Sequence, residues 1–336
     1  MAYETAFEYF SIALEAARGT AVDPPTHRLP LKGTITPREE RFYPEMGTGT
    51  LAANTQSVTI KRWSEWSCAG GLDSLYGPVY GNMLFAPVTS PTTPGGATTA
   101  RLWAFVRAMT ADTIKSATGY WGDPNVQIFR TVYNLPETFT IAADASSTDG
   151  ATIELSGRGK FPTKNAPGSV PAMLTNPPIL VPGKMQLWID TASAIGTTAI
   201  ADARLVGVSY SCPTGVTYKS NAQGPTSDLS FSGTGRTKTA PELKIRLEVP
   251  DTTQFDSYTG SSGDTIHKIR VRINGGLIES TFYHYAELDI YGPLTNPTWG
   301  ELEGSNRTLE FTIPGHYDAT LGSDARVAFQ NNRTSL

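Results

Sequence analysis

Histidine, cysteine and closely placed carboxylates build most catalytic and metal sites, and this chain places few of them usefully. His27, His267, His284 and His316 show neither the H-E-x-x-H spacing nor any paired His spacing that would hold zinc. Cys68 and Cys212 lie far apart in sequence and are expected as two buried thiols. Gly157-Arg158-Gly159-Lys160 has the residue types of a phosphate loop without its G-x-x-x-x-G-K-S/T spacing, so it reads as a turn. No G-x-S-x-G nucleophile elbow occurs. Asp73-Ser74 and Asp256-Ser257 could be metal-binding pairs, but an Asp or Ser oxygen there more simply caps a helix start. Trp63, Trp66 and Trp103 could stack sugars or bases; packing in a strand-rich fold explains them as well. Lys268, Arg270 and Arg272 share one strand face and read as a solvated or ion-paired surface. The sequence thus predicts no catalytic, cofactor-binding or metal-binding set, and no enzyme. A hydrolase would rest on scattered carboxylates alone.

The elements around these residues are strands. The 336-residue chain has 32 Gly and 24 Pro but only 17% charged residues, which excludes a coiled coil or helical bundle. With 39% apolar residues it can bury a core, and its net charge of −4 excludes a strongly basic nucleic-acid binder. No apolar run spans a bilayer, and the acidic opening lacks a signal-peptide pattern, so the product is expected in a cytoplasm. Period-2 alternation marks Ser57–Trp63, Leu243–Val249 and Lys268–Ile273, the last ending on an Asn274-Gly275 hairpin signal. Further strands are expected at 102–108, 127–133, 138–143, 151–156, 184–190, 204–211, 228–233, 309–313 and 326–330, with a strand at the ambiguous 7–17. Short helices are expected at 72–85 and 252–258. Many short strands punctuated by turns mean a sandwich or barrel.

The two halves also resemble each other. Arg28–Pro37 aligns with Arg204–Pro213, Val58–Lys61 with Leu243–Arg246, and Leu72–Gly77 with Phe255–Gly260, in the same order. Between the first two matches each half carries a polar segment, 44–56 and 219–228. The stretch 161–183 has six prolines and falls near the midpoint. The expected organisation is a first β domain at 1–165, a Pro-rich linker at 166–183 and a second β domain at 184–336, each domain with a short helix.

Glu15, Gly19-Thr20, Pro24-Pro25-Thr26 and Leu29-Pro30 ahead of a long strand, then Ser57–Trp63, Leu72–Phe85, Leu205–Ser211, Thr308–Pro314 and Arg326–Gln330, resemble in order and spacing the tail tube proteins of long-tailed bacteriophages. Trp63-Ser64-Glu65-Trp66 and the long 102–142 segment depart from that pattern. The resemblance implies tandem β-sandwich domains with flanking helices, whose strands join across subunits into an inner barrel. It implies a homotrimer that mimics a hexamer, or alternatively a homohexamer, in stacked rings around passing DNA. Its partners would be further copies, tape-measure, tail-tip and tail-terminator proteins, in a virion made in a bacterial cytoplasm. The contact loops would include Gly47, Thr48, Gly49, Thr50 and Asn54 in the first polar segment, and Asn221, Gln223 and Gly224 in the second. A low-charge lumen lined by strand carboxylates is expected, because a basic one would hold phosphates. The alternative is a virion decoration or carbohydrate-binding module.

Overall fold

The structure, a computed structural model, describes residues 9–44, 57–165, 170–174, 176–191, 194–200, 204–222, 224, 227–248, 265–301 and 307–336. It is mainly β, with antiparallel pairing throughout. The first half holds β1 (Tyr9–Leu14), β2 (His27–Arg28), β3 (Lys32–Phe42), β4 (Val58–Gly71), helix α1 (Gly77–Leu84), β5 (Arg101–Val106), β6 (Ala117–Asp123), β7 (Gln127–Asp144), β8 (Thr152–Gly159) and β9 (Thr163–Asn165). The second holds β10 (Met185–Asp190), β11 (Ala199–Ile200), β12 (Leu205–Ser211), β13 (Val216–Lys219), β14 (Gly233–Arg236), β15 (Glu242–Glu248), β16 (His267–Glu279), β17 (Phe282–Gly292), β18 (Thr295–Glu301), β19 (Arg307–Pro314) and β20 (Ala325–Asn331).

Pairing repeats between the halves. β1 pairs β2 and β6 as β10 pairs β11 and β16. β3 pairs β4 and β4 pairs β8, as β12 pairs β15 and β15 pairs β19. β7 pairs β6 and β9 with its first part and β8 with its second. In the second half β17 pairs β16 and β20, and β18 pairs β19. Ile35 lies opposite Trp66 as Val208 lies opposite Ile245, and all four are buried. The first two sequence matches therefore fall on equivalent strands, but the register slips by a few residues. Short degenerate matches do not fix a period-2 register. The third match falls partly outside the described residues, as does the expected helix at 252–258.

One layer is a continuous wall in the order β3-β4-β8-β7-β12-β15-β19-β18, joined at its middle by β7 and β12. The second layer includes β11-β10-β16-β17-β20-β5. That sheet takes β5 from the first half, and one buried core runs from Phe10 to Phe329. The separation into two tandem domains is thus not confirmed. Of the Pro-rich stretch, Leu180 is buried, with its carbonyl accepting from Ala151 and the Val181 amide donating to Asn274.

β7 crosses from one layer to the other at Tyr133, whose φ of 60° is left-handed and where the β6·β7 register shifts. The displaced Tyr133 amide donates to buried Glu15 Oε1 at 2.9 Å. The same carboxylate accepts from Gly19 N at 2.7 Å, Ser116 Oγ at 2.5 Å and Thr118 Oγ1 at 3.0 Å. Gly19, at φ 79°, turns the chain back under the Tyr133 ring.

Several sequence expectations shift. The expected strands 127–133 and 138–143 are one kinked strand. Asn274-Gly275 is a bulge inside β16 rather than the hairpin turn, held because the Asn274 carbonyl accepts from Val181. The turn falls at Ser280-Thr281, between β16 and β17, with Ser280 at φ 46°. The strand expected at 228–233 is displaced to β14, paired with β13. α1 forms despite Gly77 and Gly81, and only glycine fits there, since a Cβ would strike the Phe329 and Phe105 rings.

Glu15→Ala leaves two amides and two hydroxyls without an acceptor in a buried site. A loss on the order of 3–5 kcal/mol is expected, read as a lower urea midpoint at unchanged slope.

Candidate functional site

The wall ends in two outer strands. Among the described residues β3 pairs only with β4, and β18 only with β19. Pro37 and Pro297 sit on these strands, where an edge tolerates a residue with no N–H to donate. Past the end of the sheet the β3–β4 hairpin exposes Phe42 (55%), Val58 (56%) and Ile60 (42%), next to Tyr43 (49%). Exposed apolar clusters of this kind are candidate contact surfaces.

Alternation gives the wall two unlike faces. Ile35, Trp66, Cys68, Leu155, Phe139, Tyr210, Ile245 and Phe311 point into the core. The other face carries Glu40, Glu65, Glu154, Asp144, Glu242 and Glu310 against Arg38, Lys61, Arg158, Lys244 and Arg246. Five of its cations are matched by carboxylates: Arg38 to Glu65 at 2.8 Å, Lys61 to Glu40 at 3.2 Å, Arg158 to Glu137 at 3.1 Å, Lys244 to Glu242 at 3.8 Å and Arg246 to Asp144 at 2.7 Å. The Arg38 hydrogen bond holds the Glu65 carboxyl below its ordinary value. Burial works against ionised Asp144, but hydrogen bonds from Ser146 and the charge of Arg246 outweigh it. Exposed pairs like these add little stability; they cancel local charge.

The expected contact loops are only partly placed. Gly47, Thr48, Gly49, Thr50, Asn54 and Gln223 lie outside the described residues. Asn221 and Gly224 are exposed between β13 and β14. The β13–β14 pair that flanks them is anchored on the first half. Tyr218 Oη donates to the Leu135 carbonyl at 3.2 Å, and the Phe231 ring contacts Tyr133 and Tyr218 at 5.1 and 4.8 Å. Sequence reading missed these anchors, although both aromatics flank the polar run.

Among the described residues no three His, Cys, Asp or Glu side chains converge to hold a metal, and no helix is long and apolar enough to cross a membrane. Cys68 and Cys212 are buried free thiols, and burial pushes Cys68 up to about 12. Asp73 Oδ1 accepts from the Tyr76 amide at 2.9 Å at the entry to α1, and Ser74 Oγ meets His284 Nδ1 at 2.9 Å. Burial raises the Asp73 carboxyl to about 6, against the pull of the Tyr76 and Leu75 amides. No protein-family model matches the chain, and no curated protein matches it.

Two outcomes follow from these charges. The folded state favours protonated Asp73, so its contribution is complete below about pH 4 and lost as pH rises through about 6. Asp73→Asn should remove that slope and gain on the order of 2 kcal/mol at pH 8, read by urea unfolding across pH 4–8. Replacing Glu65, Asp144 and Glu242 by their amides unmasks Arg38, Arg246 and Lys244. DNA retention in gel shifts should then appear, with a salt slope steeper by roughly 2–3.

Proposed function

We propose that this chain is the structural subunit of a hollow tube, the tail tube of a long-tailed bacteriophage, through which DNA passes. One observation carries the reading: among the described residues the wall is one open sheet, core-backed on one face and charge-paired on the other, with β3 and β18 each paired on one side. A strand edge left with open N–H and C=O groups is a pairing surface that a soluble protein covers or uses. Repeating one edge-to-edge contact around an axis closes a ring, and stacked rings make a conduit. The face with cancelled charge suits the lumen, since each unmatched cation would hold a phosphate. Two topologically equivalent halves per chain favour three copies per ring over six. The apolar tip around Phe42 and Val58 suits contact between neighbouring copies. Tape-measure, tail-tip and terminator proteins would complete the virion tail; no catalytic step belongs to the reading.

A second reading has its own observation. An open groove of about 820 Å³ on the second layer is lined by Phe282, Tyr283, Tyr285, Gln186, Asn274 and Gln330. Aromatic faces beside amides suit a saccharide, as in a decoration or carbohydrate-binding module.

Electron microscopy of concentrated protein with its tail-tip complex separates the two. Rings or tubes with a three-fold outline are expected. A persistent monomer that binds glycans on an array would replace the tube with the binding module.

A further inference from the structure

The open groove on the second layer carries a charge that its aromatic and amide lining does not explain. Lys184 and Arg272 line it beside Phe282, Tyr283 and Tyr285, and among the described residues no carboxylate does. We propose that this groove binds an acidic saccharide, with Arg272 taking a sugar carboxylate. The proposal rests on the saccharide reading of the groove and narrows its ligand; it is independent of whether copies form rings.

The charge comes from the rows of the sheet. Arg270, Asp289 and Arg326 lie side by side across β16, β17 and β20, with Arg272 and Glu287 in the next row. Both carboxylates are buried, Glu287 at 2% and Asp289 at 1% exposed. Arg270 donates to Asp289 through Nε at 2.7 Å and Nη2 at 2.8 Å. Arg326 Nη1 bridges Glu287 Oε1 at 2.8 Å and Asp289 Oδ2 at 2.7 Å. Arg272 donates to Glu287 Oε2 from Nε at 3.0 Å and from Nη2 at 2.5 Å. Three guanidiniums thus share two carboxylates, and one positive charge is left over. Lys268 pairs with Asp318 at 3.2 Å. Asp190, opposite Lys268, lies two rows away from Arg272, and its carboxylate accepts from the amides of Gly196, Thr197 and Thr198.

Arg272 brings that excess to the groove. Its side chain is more exposed than those of Arg270 and Arg326, and among the described residues its Nη1 makes no hydrogen bond. Its guanidinium carbon lies 4.5 Å from the Tyr285 ring centre and 5.3 Å from that of Trp188. Glu287 and two rings hold the fork in place, so a ligand carboxylate meets a donor that is already ordered. Exposed Lys184 adds a second cation at the rim. The rest of the lining suits sugar. Side-chain amides of Gln186, Asn274 and Gln330 both donate and accept, as hydroxyls require. Exposed Tyr283 and half-buried Phe282 offer faces to the apolar side of a sugar ring. An acidic peptide would match the cations, but its carboxylates give those faces little to stack on.

A glycan array carrying uronate and sialate oligosaccharides beside their neutral methyl esters, followed by titration calorimetry on the full chain, tests this. Acidic glycans should bind about tenfold or more tightly than their esters, the margin of one charged hydrogen bond, and the gain should shrink with salt. Arg272→Gln should remove the preference. Gln186→Glu tests the same point if that variant fails to fold. Gln186 lies opposite Arg272, and glutamate keeps its shape and its acceptor for Asn274 while setting a carboxylate beside the fork. Tyr283→Ala should weaken acid and ester alike. Esters bound as tightly as acids, or a preference that survives both Arg272→Gln and Gln186→Glu, would overturn the acidic ligand and leave the saccharide reading standing. A tetraglutamate peptide bound as tightly as the best acidic glycan, or no glycan bound at all, would overturn both. None of these results bears on ring formation.

Discussion

A backbone amide or carbonyl that leaves water must find a partner, and the seam between β7 and β12 is where the two halves meet that demand for each other. Ala145 donates to Val206 at 2.7 Å, Cys212 to Phe139 at 2.8 Å and Thr214 to Glu137 at 2.9 Å. Without this ladder the wall would be two four-stranded sheets with four raw edges. With it, eight strands share one face toward the core and one toward solvent, and among the described residues only the outermost strands have a single partner. The charge-paired face and the reading of the chain as a wall segment depend on that continuity.

The seam needs β7 to arrive in the right layer, and buried Glu15 arranges this. Its carboxylate accepts the amide that Tyr133 loses when the strand turns. It also fixes Gly19 and the hydroxyls of Ser116 and Thr118. One acidic side chain thus ties β1, β6 and the kink of β7 into one corner. The second half makes the same passage between β17 and β18 through Pro293 and Leu294, with no strand pairing across the break. The same crossing is built once from a polar anchor and once from a proline.

Most strands were legible because one face of each is buried, so apolar residues alternate, as in Leu243, Ile245 and Leu247. β18 was not legible: Asn296, Pro297 and Gly300 read as a turn, and only an edge position makes them a strand. β6 was missed because Ala117, Thr118, Gly119 and Tyr120 are all buried, leaving no alternation to detect. The polar run near Asn221 was visible, but its seat on Tyr133 and Leu135 depends on packing between the halves. The repeat was visible in order but not in register, because register is set by which residues oppose one another across a ladder. The edges, and hence the candidate site, emerge only once every other strand has been paired.

The prolines on the two outermost strands bear on timing. Pro37 and Pro297 each leave an outermost strand with one backbone donor fewer than any other residue would supply. A junction with such gaps is weaker than the covalently enforced one and rewards only a correctly seated mate. If the chain closes rings as proposed, such subunits would tolerate high concentration without spontaneous polymerisation, and growth would wait for a preformed nucleus that presents a whole ring of edges at once.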